Sequence, residues 1–215
     1  MSFLKKIFNR KNRTWTDEEL DKFYLEKDDA LERALGKQTP TVGHAIIGFE
    51  VGGAVDMYYY HNKTGGTIFA TQELINPTGD NPIPNRNGLY ELVALTKHEF
   101  QSDDIGEGIF GNIERRFCGI FTGVGNFSFQ AKLEPSETCE LPVDGEPNRC
   151  LIFDEYQGEN DFVVDEKKYG LLLVIEVYRD EMEFAMNNGT DKLLELLKSE
   201  GHYPFSDLDR ESVIK

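Results

Sequence analysis

Residues 44–74 read HAIIGFEVGGAVDMYYYHNKTGGTIFATQEL. Three runs in this stretch, HAIIGFEV, AVDMYYYH and GTIFATQEL, are rich in β-branched and aromatic residues and are separated by Gly52-Gly53 and by Asn62 to Gly66. The pattern predicts three strands joined by turns. Within MYYY, Met57 and Tyr59 face one side of a strand and Tyr58 and Tyr60 the other. One pair must enter a core. For the other, beside Asp56, two readings stand. It is an exposed recognition surface, since tyrosine joins contact area to a hydrogen-bonding tip, or it is the second covered face of a sheet.

Upstream, Thr16 and Glu19 form a capping box, Leu20, Phe23, Tyr24, Leu31 and Leu35 recur at helical spacing, and Gly36 supplies a stop, so a helix is predicted there. Its acids Asp17, Glu18 and Glu19 suit the positive end of the helix dipole. Downstream, Asn76 to Gly88, with Pro77, Pro82 and Pro84, reads as a long loop. LYELVALTK fits a strand or a helix start. Residues 99–119 leave the period undecided, with room for a short helix around Gly111 to Phe117, and FTGVGNFSFQAKL is a strand candidate.

LEPSETCELPVDGEPNRC reads mostly as loop, and LIFDEY, DFVV and YGLLLVIEVY resume the strand pattern. Two short helices close the chain. One runs from Glu181 to Asn188 and is stopped by Gly189; the other runs from Asp191 to Ser199, capped by Thr190 and stopped by Gly201. Helix first, strands through the middle and helices last predict an α+β fold, a mixed β-sheet flanked by an N-terminal helix and C-terminal helices. With no internal repeat and no clear linker, residues 14–215 are read as a single domain behind a basic tail, 1–13.

The chain has 215 residues, 39 Asp and Glu against 23 Lys and Arg, and a net charge of -16. A hydrophobic content of 39% with 12% aromatics is enough to build a core, which acidic disordered chains lack. Phosphate backbones repel such a chain, so nucleic acid is not the expected partner. The longest mostly apolar run, LLLVIEV from Leu171 to Val177, is far short of the roughly 20 residues that span a bilayer, so no integral membrane segment is expected.

The charge is uneven. Residues 1–13 carry +5 and residues 134–166 carry -10. The first segment, with Phe3, Leu4, Ile7 and Phe8 among its bases, reads as a terminal turn or as a membrane-surface anchor. The second, through Glu137, Glu140, Asp144 and Glu146, reads as a partner-binding surface or as a solvated loop. Tyr58 and Tyr60 join that candidate interface if their face is exposed.

Catalytic and cofactor signals are weak. A GxGxxG match at Gly106, Gly108 and Gly111 lies among Asp103, Asp104 and Glu107, where a phosphate would be repelled, and no GxxxxGK[ST] or GxSxG sequence is present. His44, His61, His98 and His202 form no HxxxH or HExxH. The one metal arrangement worth testing gathers His44, His61 and Asp56 from adjacent strands, as in a small metal-dependent hydrolase. Cys118, Cys139 and Cys150 form no CxxC pair and lack a neighbouring His, so they read as reduced thiols of a cytoplasmic protein. The sequons at Asn62, Asn126 and Asn188 are then chance matches. No cofactor is expected.

Three blocks in order resemble the Suppressor of fused family, in particular its compact bacterial members. The first is VDMYYY and GTIFATQEL, followed after the Pro-rich loop by Arg86 and YELVALTKH. The second is LEPSETCELP leading to LIFDEY. The third is YGLLLVIEVYRDEMEFAMNNGTDKLLELL with its closing DLDRESV. Together they span about residues 43–213. The resemblance implies an α+β domain used for protein binding, with no enzymatic activity. Animal members hold a transcription factor inactive with the help of an additional C-terminal region, and that partner is not carried over. Bacterial members are thought to act as immunity proteins, which implies a toxin partner here, for instance a nuclease with a basic cleft that an acidic inhibitor would be steered toward. The family offers no binding motif that maps residue by residue.

Overall fold

The computed structural model describes residues 14–100, 108–143 and 147–215. The basic tail 1–13, the candidate residues Asp144 and Glu146, and Gly106 of the glycine motif lie outside the described residues.

Helix α1 (Asp17–Leu35) begins on the predicted capping box. The Glu19 N–H donates to Thr16 Oγ1 at 3.2 Å and the Thr16 N–H to Glu19 Oε2 at 3.1 Å, so two donors of the first turn are satisfied. The helix stops at Gly36, whose φ of 107° places its missing Cβ 2.6 Å from the His61 carbonyl oxygen, a position closed to any side chain.

Seven strands form one sheet: β1 (Gln38–Gly43), β2 (Met57–His61), β3 (Thr67–Ala70), β4 (Tyr90–Thr96), β5 (Thr138–Leu141), β6 (Arg149–Glu155) and β9 (Gly170–Val177). Their spatial order is β1-β2-β3-β4-β9-β6-β5. The β4–β9 pair at its centre is parallel and the other pairs are antiparallel, so the sheet is mixed as predicted. A small hairpin, β7 (Val163–Val164) and β8 (Lys167–Lys168), stands apart.

Both faces of the sheet are covered. Met57, Tyr59, Phe69, Leu92, Phe153, Leu172 and Val174 pack against helix α2 (Gly108–Ser128). Their alternates Tyr60, Ile68, Val93, Ile152, Leu173 and Ile175 pack against α1 and the C-terminal helices α3 (Arg179–Asn188) and α4 (Thr190–Ser199). Because β4 and β9 are buried on both sides, their sequences read as near-continuous apolar runs, interrupted by Glu91 and Glu176, instead of alternating ones.

Several expectations are corrected. His44–Val51 is not a strand but a loop ending in one turn of 3-10 helix, Phe49–Val51. The edge strand is β1, whose Pro40 hides a strand signal and is tolerated at an edge, near a register shift. The strand candidate at residues 121–133 is the second half of α2 and the turns after it. Its Gly and β-branched content lowers helix propensity, yet Phe110, Ile113, Phe117, Ile120, Phe121 and Val124 recur at helical spacing and all are buried. Thr138–Leu141, read as loop, is the edge strand β5. The last helix starts at Thr190 with Gly189 at its cap, so Thr190 is inside it.

Three charged groups inside the layers are each compensated. Lys27 Nζ, fully buried, lies 2.7 Å from Glu91 Oε1 and donates to the carbonyls of Gln72 and Ile75. Glu176 in β9 meets Arg116 of α2 at 3.1 Å and Arg149 of β6 at 3.0 Å. Glu181 holds Arg210 through two parallel contacts and so pins the segment after α4. That segment also pairs with the sheet, through the Ser206 N–H on Leu95 O and Asp207 on Thr96 and the Lys97 N–H.

Candidate protein-binding surfaces

The acidic stretch 134–166 does not form one continuous face. Glu140 sits on β5 opposite Cys150, whereas Asp154 and Glu155 end β6, four and five residues and ~13–16 Å further along the sheet edge. Four of its acids are held by bases from elsewhere in the chain. Glu134 meets Lys132, Glu140 meets Arg179 at 2.8 Å, Glu159 meets Lys63, and Asp161 meets Lys168 at 2.8 Å. Arg179, with Asn148, holds the Glu140 carboxyl down at about 2. Glu137 is exposed and accepts the Glu134 N–H at 2.9 Å, closing the turn before β5.

Tyr60 is fully buried and accepts a hydrogen bond from Gln72 Nε2 at 2.9 Å. It has no surface to offer a partner. Tyr58 is half-buried on the same face, and burial pushes its hydroxyl up to about 12. Of the two readings of MYYY, the covered sheet is the one the structure adopts.

The metal arrangement is not assembled. His44 Nδ1 lies 2.7 Å from Asp56 Oδ2, but His61 is at the far end of β2, ~16 Å from Asp56 along the strand. Among the described residues no group of three or more His, Cys, Asp or Glu is placed to hold a metal ion. Cys139 and Cys150 face opposite sides of the sheet, and all three cysteines are free thiols.

The surface that sequence reasoning missed is the loop 44–56. Ile46 is 104% exposed, Ile47 60% and Val51 79%, three aliphatic side chains in water within one short segment. Single exposed aliphatics are ordinary; a cluster on one loop is not. The loop is nonetheless well fixed. Asp56 accepts the Ala45 N–H at 2.9 Å as well as contacting His44, and its own N–H donates to Glu73 Oε2 at 2.8 Å. Backbone bonds from Gly53 to Gly48 and from Ala54 to Ile47 close the turn, and Phe49 anchors it in the core against Phe129. The available signal was the adjacent pair Ile46-Ile47, which cannot share one strand face.

Beside this loop lies a cavity of about 550 Å³ whose lining includes Phe49, Phe129, Glu50, Glu73 and Asp80, and no Lys, Arg or His. Burial, followed by the nearby Asp56, Glu91 and Glu50 charges, pushes the Glu73 carboxyl up to about 7 against the Asp56 N–H that lowers it.

No protein-family model matches the chain, and no curated protein matches it. Solved structures do. A crystal structure of the Sufu–Fu complex aligns with a TM-score of 0.61 at 13% identity, covering 89% of this chain and 92% of that one. The fold is that of Suppressor of fused. The same Suppressor of fused fold recurs in a SUFU homologue from Neisseria gonorrhoeae, with a TM-score of 0.54 at 13% identity over 91% of this chain and 98% of that one. Drosophila Suppressor of Fused aligns at 0.51 and 14% identity over 74% of this chain but 42% of its own. At these identities the Suppressor of fused likeness transfers the arrangement of helices and strands, and no side chain. The helix-flanked mixed sheet expected from the sequence blocks is the one observed.

Proposed function

We propose that this chain is a protein-binding domain without enzymatic activity whose partner presents a basic surface. The observation that carries the reading is the fold, shared along nearly the whole length of both chains with a protein crystallised in the Sufu–Fu complex. The net charge of -16 supports a basic partner, because complementary fields raise the rate of encounter. Of the His, Asp and Glu side chains best placed for chemistry, Asp56 and Glu73 are engaged in holding loop backbone and His44 in contacting Asp56.

The narrower reading is an immunity or inhibitor protein that neutralises a basic toxin such as a nuclease, with residues 14–215 acting as the binding unit. Glu137 and Glu140 at the β5 edge, with Asp144 and Glu146 a few residues further along the sequence, then steer the encounter. The test recovers the tagged chain from its own cells at low salt, identifies the bound protein and rebuilds the complex from purified components. A stoichiometric complex whose association slows with added salt, and slows further with Glu137→Gln, Glu140→Gln, Asp144→Asn and Glu146→Gln together, is expected. Failure to re-form any complex, or turnover by the chain alone, would overturn the reading; unchanged rates in the quadruple variant would remove those four residues from it.

A further inference from the structure

The exposed aliphatic groups on this fixed loop are unused by the fold, and they lie beside a cavity that carries carboxylates and no cation. Hydrogen bonds to Asp56 and Glu73 and the anchor Phe49 hold Ile46, Ile47 and Val51 in place before any partner arrives, which lowers the entropy lost on binding. An apolar cluster rimmed by polar groups is the usual anatomy of an interface core and rim. Glu50, Glu73 and Asp80 fix the sign of what fits next to it, because a carboxylate drawn out of water needs a cationic partner and none lines the cavity.

We propose that loop 44–51 and the adjoining cavity form a docking surface for a partner protein that inserts an arginine or lysine flanked by apolar side chains. This rests on the protein-binding reading and names its site. The aliphatic cluster supplies the contact area, and the carboxylates select a basic segment over an acidic one.

The test is a titration of the isotope-labelled full chain, followed by amide NMR, with a short blocked peptide of alternating leucine and arginine. The controls alternate leucine with glutamate and serine with arginine. The leucine–arginine peptide is expected to move the amides of Ala45–Ala54 and Glu73–Asp80, the leucine–glutamate peptide to move neither, and the serine–arginine peptide to bind more weakly. Replacing Ile46, Ile47 and Val51 together by serine, all exposed and so expected to leave the spectrum otherwise unchanged, should weaken binding roughly tenfold or more. Equal binding by that variant, or shifts scattered over other acidic surface, would overturn the site.

Against the rebuilt partner, equal affinity of the triple variant sinks this site and leaves the protein-binding reading standing, whereas absence of any complex sinks that reading itself. If sedimentation velocity shows a dimer that the triple variant abolishes, the occupant is a second copy. If deleting residues 1–13 alone moves the loop amides, the occupant is this chain's own basic segment. Either result overturns the proposal of a separate partner.

Discussion

Lys27 lies on α1 with no exposure, and its ammonium finds Glu91 Oε1 and two carbonyls, while Glu91 also accepts the Thr71 hydroxyl and the Leu74 and Ile75 N–H groups. Removing one partner strands a buried charge, so Lys27→Met should cost about 3–5 kcal/mol by urea denaturation, and adding Glu91→Gln, which removes that charge while its amide oxygen still accepts from the Thr71 hydroxyl or the Ile75 N–H, should recover part of it. Glu73 gives a pH signature. Its folded value near 7 exceeds its unfolded one, so between about 4.5 and 7 the folded chain holds more protons and stability falls as pH rises through that window. Glu73→Gln, whose amide oxygen still accepts the Asp56 N–H, should flatten that slope and raise stability at pH 8. With allowance for solvent screening the gain is on the order of 1 kcal/mol, read from thermal melts across pH. At this scale the capping box was legible, because Thr16 and Glu19 are three residues apart. The Lys27–Glu91 pair was not, because long-range contacts leave no trace in local spacing.

Among the elements, α2 was the hardest to read. Gly119, Gly123 and Gly125 with neighbouring β-branched residues argue for a strand by propensity, while the buried apolar spacing argues for a helix, and packing decides in favour of the spacing. Two of those glycines have a packing reason. A Cβ on Gly123 would lie 2.7 Å from Leu141 Cδ1, and one on Gly125 3.2 Å from Phe49 Cζ. Gly125→Leu should therefore push Phe49 out, cost about 1–3 kcal/mol, and shift the amides of residues 44–54 in an NMR spectrum. Unmoved loop amides would show that Phe49 does not anchor the loop. The loop itself was misread for a complementary reason: IIGFEV has strand composition, but its apolar groups face water and only Phe49 is used by the core.

At the scale of the whole molecule, order and type of elements were legible from periodicity and caps, since a helix, a central run of strands and closing helices leave few ways to bury every apolar face. The destination of the charge was not. The -10 stretch looked unexplained by folding, yet Lys63, Lys132, Lys168 and Arg179 fold back onto four of its acids, and a further group of carboxylates, in a cavity lined by no cation, lies beside the 44–51 loop. The buried Glu181–Arg210 pair holds the end of the segment after α4, so Arg210→Ala should leave Glu181 uncompensated, cost about 3–5 kcal/mol, and make residues 210–215 sensitive to carboxypeptidase, while Ser206 and Asp207 still tie residues before them to the sheet. The most direct measurement is hydrogen–deuterium exchange of the full chain, alone and in the rebuilt complex with its partner protein. Slowed exchange across residues 44–56 and 73–80 in the complex is the predicted result; unchanged exchange in both segments, with protection elsewhere, would contradict it.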